Sequence, residues 1–164
     1  LDIAKARGIP SVVDPKFRNF FAFRGATIFK PNRRELEGAL GAAMDLEHAG
    51  ALPQAMERLG VQNLLLTLGA EGMVLVGRDG ALSRFPTVAR EVYDVSGAGD
   101  TVTAWTGTAL ASGTSVSEAA ELANYAAGIE VGKLGVAIVT RDEVLDLYER
   151  RFDQVGMFRR GGVL

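Results

Sequence analysis

Cysteine is absent from this 164-residue chain, which excludes disulfide bonds, thiolate catalysis and cysteine-ligated metals. Histidine is almost absent, and the single residue His48 cannot form a histidine metal cluster. No uninterrupted apolar run reaches the ~18 residues of a membrane span, and no basic segment followed by an apolar core indicates a secretion signal. We therefore expect a cytoplasmic protein that does not interact with membranes.

A strong excess of either charge is also missing. The chain has 18 basic and 20 acidic side chains and a formal net charge of −2, so it has no general electrostatic reason to bind nucleic acid. Any anion must then be bound by a local arrangement. Hydrophobic residues make up 48% and charged residues 23% of the chain, which is typical of one globular domain of this length.

Helical and strand patterns alternate along the chain, which predicts an α/β fold with a mainly parallel sheet flanked by helices. The helical patterns cover 32–41, 46–59, 98–112, 115–133 and 141–151. The strand patterns cover 11–14, 27–29, 63–68, 73–77, 82–85 and 136–139, with a hairpin turn at 77–80. We interpret 1–149 as one domain portion and 150–164 as a tail or linker.

The most informative motif is Gly97-Ala98-Gly99-Asp100, at the start of a helical pattern. Its two glycines let the backbone turn sharply and expose successive N–H groups at a helix N-terminus, where a phosphoryl group fits. In that first turn Asp100 is favoured as an anion and is able to accept a hydroxyl proton during phosphoryl transfer. The alternative is an ordinary glycine-rich loop in which Asp100 only stabilises the helix.

A second motif lies at the start of another helical pattern. Asn32 and Glu35 follow Pro31 and stand three residues apart, so both side chains face the same side of the helix. In a phosphotransferase that face would hold Mg²⁺ through water, because magnesium prefers oxygen ligands and keeps several waters. The alternative is a capped, solvated helix start with Asn32 as the cap.

Together these motifs resemble those of a known family. The stretch Asp94–Asp100 is similar to the Asp-Thr-x-Gly-Ala-Gly-Asp signature of the ribokinase (PfkB-type) carbohydrate kinases. Further stretches occur in that family's order and at about its spacing, at 13–16, 31–35, 67–72 and 122–128. Within the family, Asp14-Pro15-Lys16 and the stretch 131–135 are most similar to the heptose-7-phosphate kinases that serve ADP-heptose synthesis. The resemblance covers about 1–149 and implies a ribokinase-like fold that lacks the N-terminal part and its small β-sheet lid.

The resemblance implies ATP-dependent phosphorylation of a sugar hydroxyl, with Asp100 as the base and the N–H groups of Gly97, Ala98, Gly99 and Asp100 as the anion hole. It implies that Mg²⁺ lies near Asn32 and Glu35. It also implies a nucleotide site to which these residues contribute: Lys16, Asn32, Arg33, Arg34, Glu35, Thr67, Gly69, Gly72, Asn124 and Gly128. The stretch Lys133–Gly135 would border the base and, as in some members of the family, a monovalent cation.

Several of these roles have structural alternatives that the sequence leaves open. Thr67–Gly72 also reads as a tight turn between two strands, Asn124 as an interhelical hydrogen-bonding residue, and Lys16 as an exposed lysine at a strand end. The expected ligands are ATP and a phosphorylated sugar. A lone half-domain would expose apolar surface, so we expect self-association or a complementary N-terminal half. The functional alternatives are a nucleotide-binding fragment without turnover, or a kinase of the same family for another sugar.

Overall fold

A five-stranded sheet forms the centre of the computed structural model, in the order β1-β2-β3-β4-β5. The structure describes residues 1–48, 50–89, 91–135 and 137–160, and side chains as far as residue 150. The strands are β1 (Val12–Val13), β2 (Ile28–Phe29), β3 (Leu64–Thr67), β4 (Met73–Val76) and β5 (Leu82–Phe85). The helices are α1 (Asp2–Ala6), α2 (Arg33–Leu40), α3 (Ala51–Leu59), α4 (Ala98–Ala111), α5 (Val116–Glu130) and α6 (Arg141–Arg160).

The sheet is parallel on one side and antiparallel on the other. Strands β1, β2 and β3 run parallel, with Val13 opposite Phe29 and Phe29 opposite Leu64. Strand β4 is antiparallel to β3. Strand β5 is antiparallel to β4, as the hairpin turn predicted at 77–80 between these two strands requires. Because parallel strands end at the same edge, the residues that follow β1, β2 and β3 are brought together there.

The alternation of side chains along the strands distributes the core over both faces of the sheet. Leu64 and Leu66 pack on one face in the cluster that includes α2 and α3, whereas Leu65 packs on the other face with residues of α4 and α5. The outer helix α6 contributes Val144 to a third cluster on the side of α5. This α/β/α layering confirms the predicted fold class.

The structure differs from several element predictions, including the end of α5, which is at Glu130 and not at the predicted residue 133. The strand predicted at 136–139 is wrong for 137–139, which have no regular structure; residue 136 lies outside the described residues. The carbonyl of Ile138 accepts a hydrogen bond from Lys133 Nζ at 2.8 Å instead of from a neighbouring strand. The helix predicted from 46 begins at Ala51, because the Asp45 side chain accepts the N–H of Glu47 and favours a turn. The last helix continues to Arg160, past its predicted end at 151.

Helix α5 lies very close to the segment that follows β5. A Cβ added to Gly128 would lie 2.5 Å from Cγ2 of Val88 and 3.1 Å from the backbone nitrogen of Ala89. One helical turn earlier, the Asn124 side-chain amide donates a hydrogen bond of 2.8 Å to the carbonyl of Pro86. These two residues of α5 therefore hold the segment in place.

We expect Gly128→Ala to destabilise the protein by about 1–3 kcal/mol, because the added methyl group has to displace the packed backbone. The matched control is Gly38→Ala in α2, where an added Cβ would meet nothing within 4 Å. This control gains helix propensity and should stabilise the protein by up to about 1 kcal/mol. Urea unfolding of both variants measures the difference, and an equal gain in stability for the two would contradict the close packing at Gly128.

Candidate active site

A cleft of about 630 Å³ opens where the parallel strands end. Asp14 follows β1, Lys30 follows β2 and Thr67 ends β3, and all three line the cleft. The lining also includes the first turn of α4 and part of α5. A cleft of this size lies within the range of about 300–1,000 Å³ that is typical of small-molecule sites.

Most of the site residues predicted from the sequence meet in this cleft. Those that line it are Lys16, Asn32, Glu35, Thr67, Gly69, Gly72, Gly97, Ala98, Gly99, Asp100, Asn124 and Gly128. Arg33 and Arg34 are not among its lining residues. The Arg33 guanidinium pairs instead with Glu37 at 3.0 Å and donates to the carbonyl of Met44 at 3.2 Å, and Arg34 is exposed on α2. Contact of these two arginines with a nucleotide stays a prediction.

The Gly97–Asp100 loop has the geometry of an anion-binding helix start. Gly97 caps α4 with a left-handed φ of +94°, and no side chain caps the helix. The N–H groups of Gly99 and Asp100 therefore point out of the first turn without a side-chain acceptor, as anion binding requires. In the segment just before this loop, the Asp94 carboxylate accepts the N–H of Ser96 at 2.8 Å, and this hydrogen bond lowers the pKa of Asp94. Asp100 itself is exposed on the cleft wall.

Asn32 and Glu35 form a reciprocal capping box at the start of α2. The Oδ1 atom of Asn32 accepts the N–H of Glu35, and Oε2 of Glu35 accepts the N–H of Asn32, both at 2.8 Å. The capping alternative is thus present in the structure, on a helix start that also lines the cleft.

Magnesium fits this helix start only with much of its hydration retained. Over the described ranges, no group of three or more His, Cys, Asp and Glu side chains is placed to hold a metal ion. The cap engages Oε2 of Glu35, and Oε1 takes no part in it. One carboxylate oxygen, several waters and nucleotide phosphates make a set of ligands that Mg²⁺ commonly accepts.

The Thr67–Gly72 loop is a tight turn and a cleft wall at once. The N–H of Thr67 donates to the carbonyl of Pro31 at 3.0 Å, and a short 3₁₀ turn, Gly69–Glu71, links β3 to β4. Gly72 has φ of +88°, and a Cβ there would overlap the carbonyl oxygen of Phe85. Glycine is therefore required by the backbone at 72, whether or not a nucleotide binds.

Asn124 does not form the interhelical bond that the sequence left open. Its amide donates to Pro86, in the segment after β5, and the residue is 7% exposed where it lines the cleft. The nearby apolar lining residues Val92, Val95 and Val131 were not identified from the sequence. Val92 and Val95 are 59% and 69% exposed, so this end of the cleft offers an apolar surface of the kind that binds a planar base.

Asp14 and Lys30 form an ion pair in the cleft that the sequence did not predict. Lys30 is 3% exposed, and its Nζ lies 3.4 Å from Oδ1 of Asp14. Lys16, which was predicted, lies 3.7 Å from the other carboxylate oxygen of Asp14, with its side chain 79% exposed. The available signal for Lys30 was its position at the end of a strand pattern, directly before Pro31.

A buried carboxyl group, Glu130, lies behind the anion-binding loop. It is 1% exposed, and neither carboxylate oxygen makes a hydrogen bond of good geometry, although the Thr101 side chain lies beside it. Burial raises the pKa of Glu130 above 4.5; the Thr101 hydroxyl opposes this effect, and the negative charges of Asp100 and Asp94 add to it. This acid therefore makes the folded state less stable as pH rises.

We expect Glu130→Gln to gain stability relative to the wild type as pH rises through and above the ordinary glutamate pKa of 4.5. In the wild type the unfolded chain loses its proton near pH 4.5, while the folded chain keeps it until its raised pKa is reached, so stability falls over that window. The amide cannot titrate. Thermal unfolding at several pH values measures the effect. The exposed Glu149→Gln on α6 is the control, and a Glu130→Gln difference that does not vary with pH would contradict the burial effect.

The chain is similar in sequence to a known protein family and to several known proteins. The profile of the pfkB family carbohydrate kinases matches residues 1–142. The chain is 47% identical over 144 residues to a bifunctional protein HldE of Paramagnetospirillum magneticum, which covers 87% of this chain and 30% of that protein. It is 49% identical over 147 residues to a bifunctional protein HldE of Geobacter metallireducens, again with 87% and 30% covered. The chain thus spans about three tenths of the length of these relatives.

Solved structures show the same arrangement of helices and strands. Arabidopsis thaliana ribokinase complexed with ribose and ATP superposes with a TM-score of 0.75 at 27% identity, covering 89% of this chain and 49% of that one. Escherichia coli phosphofructokinase-2 in complex with potassium gives a TM-score of 0.77 at 18% identity, with 91% and 50% covered, and shows the fold alone. Because the family profile matches most of the chain, this chain belongs to the pfkB family of carbohydrate kinases.

Proposed function

We propose that this chain supplies the ATP-binding and phosphotransfer part of a sugar kinase whose acceptor is heptose 7-phosphate and whose product is the 1,7-bisphosphate. The observation that carries the proposal is the single cleft that joins the Gly97–Asp100 loop to the Asn32–Glu35 helix start and the Thr67–Gly72 loop. The likeness to proteins named HldE, at 47% and 49% identity, supports the heptose acceptor over other sugars. The likeness to a ribokinase complexed with ribose and ATP supports the nucleotide.

In this proposal the chain acts by positioning and electrostatics. The sugar oxygen forms a bond to the γ-phosphorus of ATP while the bond from that phosphorus to the ADP oxygen breaks. Asp100, exposed to the cleft, accepts the hydroxyl proton. The N–H groups of Gly99 and Asp100 stabilise the charge on the transferring group, because no side chain occupies the N-terminus of α4.

Magnesium bound through water near Glu35 would neutralise part of the polyphosphate charge. The monovalent cation beside Lys133–Gly135 also stays a proposal. Lys133 already pairs with Glu143 at 2.6 Å, which lowers the pKa of Glu143 to about 2. Lys133 is therefore engaged by Glu143 and by the carbonyl of Ile138, and it does not offer a free charge to a ligand.

A second candidate function is nucleotide binding without independent turnover. It is motivated by one observation: the match covers 49% of the ribokinase and 30% of an HldE protein, so part of each relative's length lies outside the match. In such a protein the acceptor sugar would be bound largely by a complementary half. The two candidates share the nucleotide cleft and differ in sugar-dependent ATP turnover.

We expect Asp100→Asn to reduce heptose-7-phosphate-dependent ATP turnover by about 10²–10⁴-fold, because the amide cannot accept the hydroxyl proton. ATP affinity should change no more than several-fold, since the N–H groups of the loop are kept. The control is Asp142→Asn, which removes an exposed carboxylate from the first turn of α6, outside the cleft. Coupled ADP detection gives turnover, and calorimetry gives ATP affinity.

Equal turnover in the wild type and in Asp100→Asn would contradict the role of Asp100 as the base. Binding of Mg-ATP by the wild type without turnover on any sugar phosphate would favour the second candidate. Turnover on another sugar but not on heptose 7-phosphate would overturn the acceptor and keep the kinase.

A further inference from the structure

Lys30 occupies an unusual position for a lysine. It follows β2 directly, is 3% exposed as a whole residue, and its side chain is 4% exposed. It nevertheless lines the cleft, so the buried stem carries the ammonium to the cleft floor. The sheet packing that orders Ile28 and Phe29, both fully buried, also fixes the direction of this side chain.

The ammonium of Lys30 is incompletely satisfied by the protein. Its one ion-pair partner in the described part of the chain is Asp14, at 3.4 Å, which is longer than a typical N–H···O hydrogen bond. Burying an ammonium is costly unless several acceptors surround it. A lysine with three donors and one distant carboxylate is therefore poised to accept a further anionic partner from the cleft.

The anion-binding loop lies directly against this ammonium. A Cβ added to Gly99 would lie 3.5 Å from Nζ of Lys30, which is van der Waals contact. The Lys30 ammonium is therefore next to the loop that begins α4. Gly99 precedes Asp100, the proposed base. An anion held by the N–H groups of that loop would lie within reach of Lys30 on one side and of Asp100 on the other.

We propose that Lys30 binds the transferred phosphoryl group, and that Asp14 positions the ammonium for this contact. The inference rests on the proposed function, because it requires ATP in this cleft. Lys30 is then a catalytic residue by contact with the γ-phosphate, and Asp14 is a positioning residue that acts through Lys30. The contact adds a fixed positive charge to the N–H groups of Gly99 and Asp100 where negative charge develops during transfer.

Lys16 pairs with the same carboxylate, but its side chain is much more exposed than that of Lys30. Its Nζ lies 3.7 Å from Oδ2 of Asp14, and 79% of its side chain is exposed. Holding that flexible chain against a phosphate would cost rotamer entropy at the moment of binding, whereas packing has already restricted Lys30. Of the two lysines, Lys30 is therefore expected to contribute more to binding of the terminal phosphate.

The test compares ATP with ADP, which lacks the γ-phosphate. In Lys30→Met, which keeps the apolar stem without the charge, we expect ATP affinity to fall by about tenfold or more and ADP affinity to change by less than about twofold. Lys5→Met on α1, an exposed lysine outside the cleft lining, is the matched control and should leave ATP affinity unchanged, whereas Lys16→Met should lower it by less than about threefold. Calorimetry on the purified chain with magnesium gives both affinities, and circular dichroism checks the fold. If Lys30→Met does not fold, Lys30→Gln gives the same comparison with a neutral polar side chain.

Each outcome decides a different point. A selective loss of ATP affinity in Lys30→Met supports the assignment. Equal losses for ATP and ADP, or no loss for either, would overturn it and make Lys30 a structural partner of Asp14 while leaving the nucleotide site in place. If the folded wild type binds neither nucleotide, the proposed function itself is contradicted, and the assignment of Lys30 with it.

Discussion

The parallel pairing of β1, β2 and β3 is the constraint on which the cleft depends. With Val13 opposite Phe29 and Phe29 opposite Leu64, the three strands end at one edge of the sheet. A single bridge between Asn32 and Thr67 continues this pairing beyond the strands. The polar residues that follow the strands are therefore brought to one edge by the backbone pairing of the strands, where contacts such as that of Lys30 with Asp14 at 3.4 Å become possible.

Structural and chemical roles coincide at this edge. Asn32 and Glu35 cap α2 while lining the cleft, and Gly72 permits the approach of β5 while lining it as well. The same holds for Asn124, whose hydrogen bond to Pro86 holds the segment that forms one wall. A ligand would thus enter a site whose lining is already ordered by folding, which reduces the entropic cost of binding.

Local signals in the sequence were sufficient where short-range geometry decides the structure. The capping pattern at Asn32, the hairpin turn at 77–80 and the glycines before Asp100 all predicted elements that are present. The failed strand at 137–139 depends on a lysine side chain that takes up a backbone carbonyl, which periodicity cannot reveal. The contact of Lys30 with Asp14 and its closeness to Gly99 join three distant parts of the chain, so only the folded arrangement shows them.

The central claim is that this chain contains an assembled, magnesium-dependent nucleotide site. A calorimetric titration of the purified chain with ATP, with magnesium and then without it, tests that claim most directly. The account predicts saturable binding with one ATP per chain that weakens clearly when magnesium is removed. Absence of ATP binding by a folded sample in the presence of magnesium would contradict it.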